Sequence, residues 1–191
     1  MRTHQEMEAL VQDAFKLGMT QSGIETRDFA LWLQGLEISN ILELGTCAGG
    51  MMLLMDRVCN PGLRIVMDMP WDQRDPKCSP EHEARFKAAL PDVLEIFGQI
   101  HDQEQRERLA YVLGEENIDL LFIDADHSYS GCKQHVEMYA RFIRPGGFIG
   151  FHDVSNGWPC GKYVREELFP KHPHWVFEEP KNLFGIGVIQ L

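Results

Sequence analysis

Apolar positions along the chain follow two patterns. Met7, Leu10, Val11, Ala14 and Phe15 recur at helical spacing, and Phe29, Trp32, Leu33 and Leu36 repeat that spacing within 26–36. Short, nearly continuous apolar runs then alternate with amphipathic stretches. The runs predict strands at 40–44, 63–67, 93–97, 118–123 and 148–151. Between them the pattern predicts helices at 48–59, from Ser79-Pro80-Glu81 onward, at 104–113 behind Asp102, and at 129–143, the last stopped by Pro145-Gly146-Gly147. A helix near 162–168 precedes two final runs, Trp175-Val176-Phe177 and 183–191. Strands separated by helical crossovers pair in parallel, whereas the short connector between the final runs predicts an antiparallel hairpin. The expected fold is α/β, a doubly wound and mostly parallel sheet of seven strands. No repeat or linker interrupts the pattern, so residues 1–191 are expected to form one domain.

The stretch Ile41-Leu42-Glu43-Leu44-Gly45-Thr46-Cys47-Ala48-Gly49-Gly50 joins an apolar strand to a helix through a glycine turn. In an open α/β sheet such a turn lies at the carboxyl ends of the strands, where ligands bind. Asp68 ends the next strand, nineteen residues after Gly49, where a carboxylate can accept both hydroxyls of a ribose. Cys47 stands where a dinucleotide fingerprint requires its second glycine, which argues against a pyrophosphate-containing cofactor.

A second cluster follows the fourth strand, in Asp124-Ala125-Asp126-His127-Ser128, and a third follows the fifth strand, in His152-Asp153. Adjacent parallel strands would gather Asp124, Asp126, His127, His152 and Asp153 around one crevice. Carboxylates held that close repel unless a proton or cation intervenes. Oxygen ligands suit Mg²⁺, Mn²⁺ or Ca²⁺, and an imidazole shifts the preference toward a transition metal. Plainer roles compete: Asp124 as a loop cap, Asp126 as the N-cap of the next helix, and His152 as a packing residue.

Composition narrows the function. A net charge of -11 without a Lys/Arg cluster disfavours nucleic acid as a partner. No apolar run is long enough for a membrane span and the N-terminus does not read as a secretory signal, so the expectation is a cytoplasmic protein. The five cysteines have no C-x-x-C pair, which argues against a disulfide framework or a zinc ribbon and leaves Cys47 as a small packing residue.

The glycine turn, Glu-x-Gly-x-x-x-Gly, resembles the first motif of class I S-adenosylmethionine-dependent methyltransferases. Phe122-Ile123-Asp124-Ala125-Asp126-His127-Ser128-Tyr129, then Tyr139, Pro145-Gly146-Gly147 and His152-Asp153, look like one group of them. That group is related to the cephalosporin-hydroxylase-like and the macrolide or aminocoumarin sugar O-methyltransferases, and more distantly to the catechol type. The resemblance implies a Rossmann-like fold and assigns cofactor binding to Glu43, Gly45, Thr46, Gly49, Asp68 and Asp124. It implies His127 as the catalytic residue and Asp124, His152 and Asp153 as ligands of Mg²⁺ or another divalent cation. Metal-dependent relatives usually carry two acids or Asp-Asn where this chain has His152-Asp153, and Gly98-Gln99-Ile100 replaces a frequent Gly-Asp-Ser.

The implied activity is O-methylation of a small hydroxylated molecule such as a sugar, a catechol or a natural product. The sulfonium already activates the methyl group, which leaves the protein to align the acceptor and remove its proton. Trp71, Trp158, Pro159 and the helices within 1–38 are candidates for covering the acceptor, and a homodimer could complete the pocket. The alternatives are a binding protein for S-adenosylmethionine or S-adenosylhomocysteine without turnover, and a nicotinamide-dependent oxidoreductase.

Overall fold

A computed structural model describes residues 1–74, 80–155, 157–180 and 184–191. Helices α1 (His4–Leu17) and α2 (Gly23–Leu33) precede an alternation of strands and helices. These are β1 (Asn40–Leu44), α3 (Gly50–Cys59), β2 (Leu63–Asp68), α4 (Pro80–Ala89), β3 (Leu94–Phe97), α5 (Gln103–Leu113), β4 (Ile118–Ile123), α6 (Tyr129–Tyr139), β5 (Ile143–Phe151) and α7 (Pro159–Tyr163). The chain closes with β6 (His174–Phe177) and β7 (Ile186–Gln190).

The seven strands form one sheet in the order β3-β2-β1-β4-β5-β7-β6. The first five are parallel; β7 runs antiparallel to both β5 and β6. This is the expected doubly wound sheet with its antiparallel hairpin. The order reverses at β1, which lies between β2 and β4, so the crevice beyond β1 is the topological switch point.

Strand alternation divides the core between two faces. Ile41, Val66, Leu120 and Phe122 meet α1, α2 and α3 on one face. Leu42, Leu44, Ile65, Leu121 and Ile123 pack with residues of α5, α6 and α7 on the other. Glu43 shares Ile41's face by this alternation, which places a buried carboxylate at the end of β1.

Several boundaries depart from the sequence pattern. Pro145-Gly146-Gly147 lies inside β5, because α6 ends at Tyr139 and a 3₁₀ turn over Ala140–Phe142 leads directly into that strand. The pairing register shifts between Ile118 and Leu120, and this irregularity accommodates the proline. The helix expected at 162–168 begins earlier, with Pro159 in its first turn, and continues as a π-helical turn over Val164–Leu168. Ser128, not Asp126, is the N-cap of α6: its hydroxyl accepts from the Gly131 amide at 3.0 Å. Asp126 instead accepts from the Ser128 amide at 2.8 Å, fixing the loop before the helix. The Ser79 cap expected for α4 lies outside the described residues. Cys47 is disulfide-bonded, which corrects its reading as a small packing residue; an odd cysteine count excludes a fully paired set, not a single bridge.

Candidate active site

The turn after β1 is held by its neighbours on both sides. The Gly45 amide donates to the Met67 carbonyl of β2, and the Asp124 amide donates to the Leu44 carbonyl, both at 2.9 Å. Gly45 has φ +83°, and a Cβ there would meet the Asp124 carbonyl oxygen at 2.1 Å. Only glycine lets the two strand ends approach this closely. Gly49, at φ 89°, is the N-cap of α3.

Two cavities open at these strand ends. One, of about 430 Å³, is bordered by Gly45, Asp68, Gly98, Gln99, Asp124 and Asp126 among others. The other, of about 400 Å³, is bordered by Glu43, Thr46, His127, His152, Asp153 and Trp158 among others. Gly45, Cys47 and Asp124 border both, so the glycine turn and the end of β4 form their common wall.

In the first cavity the Asp68 carboxylate accepts the amides of Cys47 at 2.8 Å and Met69 at 2.7 Å. Arg74 stands beside it, with Nε 3.7 Å from Asp68 Oδ2, and donates to the Cys47 carbonyl at 2.5 Å. Its guanidinium lies 3.7 Å over the Trp71 ring. At the far end His101 and His135 stack with ring centroids 4.4 Å apart. Both ring nitrogens of buried His135 lack partners, and burial holds this imidazole down at about 4, so it is neutral.

Glu43, on the second cavity, accepts the Thr46 hydroxyl at 2.5 Å. Burial pushes its carboxyl up to about 8, against the lowering effect of that hydroxyl, which favours the protonated acid.

The second cavity gathers the polar residues that end β4 and β5. Asp124, His152 and Asp153 each place one ligand atom within 4.8 Å of the others. Asp153 adopts φ 58°, a left-handed conformation rare outside glycine, and one that asparagine and aspartate tolerate best. Its Oδ2 is 2.8 Å from His127 Nδ1, and its buried Oδ1 has no hydrogen-bond partner. Burial works against Asp153's charge, but the contacts from His127 and His152 prevail and hold it at about 2. The Asp153 hydrogen bond in turn raises His127 to about 10, so the two form an ion pair. His152 is raised well above its ordinary value; burial opposes its charge, but Asp124 and the other acids around the ring outweigh it.

The strand–turn–helix that carries Gly45 therefore forms a cleft built for a small ligand, with an acidic and imidazole-rich chamber beside it. A family described as a methyltransferase domain matches residues 42–154, more than half of the chain. The chain belongs to that family. The match begins within β1 and ends just past His152-Asp153, so it spans the strand ends that build both cavities. Among curated proteins, none matches the methyltransferase in sequence.

Solved structures resemble it throughout. An O-methyltransferase from Bacillus cereus in complex with SAH superposes with a TM-score of 0.65 at 18% identity, covering 100% of this chain and 93% of that one. The O-methyltransferase TomG from Streptomyces achromogenes, involved in tomaymycin synthesis and in complex with SAM, gives 0.61 at 15% identity, covering 100% and 90%. At these identities the likeness establishes the shared fold.

Every residue proposed from the sequence for cofactor, catalysis or metal borders one of the cavities except Gly49, which shapes the turn from behind, and Pro159, proposed to cover the acceptor, borders neither. A Cβ on Gly49 would collide with the Phe86 ring at 2.0 Å. Trp158 lines the second cavity as expected, whereas Trp71 lines neither; its indole N–H donates to Glu95 at 2.8 Å. The sequence reading missed four residues. Gln21 donates to Asp124 Oδ2 at 2.5 Å, and Glu25 Oε1 lies 3.3 Å from His152 Nε2, so the α1–α2 segment of the methyltransferase reaches its strand ends. Phe184 stacks on His152 with centroids 5.7 Å apart, and Arg74 flanks Asp68. One signal was visible: Glu25, Phe29 and Leu33 share a helical stripe, on which a lone acid is out of pattern.

Proposed function

We propose that this methyltransferase uses S-adenosylmethionine to methylate a hydroxyl of a small molecule, such as a sugar, a catechol-like ring or another natural-product acceptor. The carrying observation is the common wall of the two cavities, which sets a nucleoside-sized cleft against the His127–Asp153 pair. When bound, the sulfonium cofactor supplies an activated methyl group. Asp68 is suited to its ribose hydroxyls and Glu43, with Thr46, to a cationic amino group, whose charge would draw the buried carboxyl into its ionised form. Gly45 lets the ligand approach the backbone, and Asp124 borders both compartments.

The neighbours with SAH and SAM support the cofactor, and their description as O-methyltransferases supports a hydroxyl acceptor. His127 is the proposed proton acceptor for that hydroxyl, a role for its neutral form, which a cation on Asp153 would favour by weakening the hold of that carboxylate on the imidazolium; Asp153 orients its ring through Nδ1. Trp158 and Phe184, stacked with centroids 6.3 Å apart, form an apolar wall for the acceptor's carbon skeleton.

The residues also fit a divalent cation. Two carboxylates and one imidazole converge, and the unpartnered Oδ1 of Asp153 is a buried acceptor that a cation would satisfy. Asp124, His152 and Asp153 would hold the ion, which would supply Lewis acidity toward an acceptor oxygen. An imidazole among the ligands favours Mn²⁺ or a later transition metal over Ca²⁺.

The test is calorimetry with S-adenosylmethionine and S-adenosylhomocysteine, with NAD as control, followed by a panel of hydroxylated acceptors with and without Mg²⁺ or Mn²⁺. Micromolar binding and a methylated product support the proposal. Binding without product across the panel would make the protein a non-catalytic binder, and binding of NAD alone would overturn the cofactor assignment.

A further inference from the structure

Glu25 is fully buried, yet it sits on the stripe of α2 that carries Phe29 and Leu33 into the core. Its Oε1 accepts the Ser22 amide at 2.9 Å and lies 3.3 Å from His152 Nε2. Its Oε2 has no partner, and among the described residues no lysine or arginine pairs with it. The opposite nitrogen of the same ring, His152 Nδ1, lies 3.3 Å from Asp124 Oδ1 and 3.3 Å from Asp153 Oδ1. One imidazole thus bridges a carboxylate of the N-terminal helices and the two carboxylates at the strand ends.

We infer that Glu25 is a positioning residue for the cation centre, accepting the Nε2–H of His152 so that Nδ1 is presented toward Asp124 and Asp153. The inference rests on the cation reading given above. An imidazole binds a metal through an unprotonated nitrogen, so its hydrogen must sit on the other one. Buried against α2, that N–H needs an acceptor, and the carboxylate of Glu25 is the group within reach. Rotating the ring by half a turn would lose the contacts at both nitrogens. Phe184, stacked at 24° to the imidazole, restricts its plane further. A carboxylate behind a metal-binding histidine fixes its orientation and raises its basicity. Gln21 plays a parallel part on the neighbouring ligand, donating to the Asp124 oxygen that does not face His152. The N-terminal helices therefore act on the centre through two of its three ligands.

The experiment is titration of the full chain with Mn²⁺ alone, reading the free ion by electron paramagnetic resonance. Wild-type protein is compared with Glu25→Gln, which keeps an acceptor oxygen, and Glu25→Met, which keeps length without one. S-adenosylhomocysteine affinity and thermal unfolding serve as controls for folding. Glu25→Met is expected to bind Mn²⁺ on the order of 10- to 100-fold more weakly, with Glu25→Gln recovering most of that loss. If Glu25→Met does not fold, Glu25→Asp replaces it, withdrawing the charge by one methylene, and the same weakening is expected. Equal Mn²⁺ affinity in wild type and Glu25→Met, or an equal loss in both variants, overturns the role of Glu25 while leaving the cation reading intact. A wild-type protein that binds no Mn²⁺ overturns both.

Discussion

Asp153 Oδ2 lies 2.8 Å from His127 Nδ1, joining the second residue after β5 to the loop that follows β4. The two strands are neighbours in the sheet, so the pair spans a single strand interval, and both residues border the second cavity. The other oxygen of Asp153 turns toward His152, and one carboxylate therefore faces both imidazoles.

Asp153→Asn keeps the shape and tolerates the φ of 58°, while removing the charge that both histidines face. Methyl transfer is expected to fall by about 10²- to 10⁴-fold, the usual worth of a positioned proton acceptor. Cofactor affinity should change little, because the proposal gives the cofactor to Asp68, Glu43 and Thr46 and sets Asp153 on the acceptor's side of the second cavity. Steady-state kinetics beside calorimetry separate the two effects; unchanged turnover would remove the His127–Asp153 pair from the mechanism.

Gly45→Ala should be far worse than its size suggests. The added methyl would overlap the Asp124 carbonyl, and the φ of +83° is costly for any residue with a Cβ. A loss of more than about 2 kcal/mol in urea unfolding is expected, with cofactor binding abolished. Gly62→Ala is the control, since the nearest atom there is the Ser39 carbonyl oxygen at 3.8 Å.

Trp158→Ala tests the acceptor wall. Trp158 borders only the second of the two cavities and stacks with Phe184. The acceptor KM is expected to rise roughly tenfold, about what losing one apolar contact surface is worth, with the S-adenosylhomocysteine Kd unchanged. A parallel loss of cofactor affinity would set Trp158 against the cofactor and overturn its role as the acceptor wall.

Buried His135 gives the fold a pH dependence of defined sign. Its native value, about 4, lies below the ordinary 6.5. Burial is the main cause and neighbouring His101 adds to it, while Asp126 works in the opposite direction. Between those limits the unfolded chain takes up a proton that the native chain refuses, so stability falls as the pH drops from 6.5 toward 4. The loss from this group is on the order of 3 kcal/mol at most. Thermal unfolding followed across that range should show a shallower slope in His135→Phe than in wild type, and identical slopes would rule out His135 as the source.

Much of this architecture was legible in the chain. Short apolar runs located the strands, and the glycine turn with Asp68 located the switch point, because both are local consequences of backbone geometry. Pro145-Gly146-Gly147 was misread as a stop because local propensity cannot anticipate a strand that begins ahead of its own irregularity. His127, His152 and Asp153 could be grouped because each follows a strand whose neighbours the topology dictates. Glu25 and Gln21 could not be placed that way. They meet the centre only through the packing of α1 and α2 on the sheet, and Glu25 also satisfies the Ser22 amide, a helix-start role sufficient to account for an acid there.

The position of β7 has a consequence for how the enzyme is made. This late strand lies between β5 and β6, and the amides of Val154 and Ser155, just beyond Asp153, donate to the carbonyls of Gly185 and Phe184. While the ribosome is still synthesising residues 184–190, β5 is an open edge and the segment carrying His152 and Asp153 has no backbone to rest on. The second cavity is therefore completed only once β7 has been made, after most of the sheet can already have formed, and a nascent chain stalled before β7 would carry a glycine turn beside an unfinished cavity.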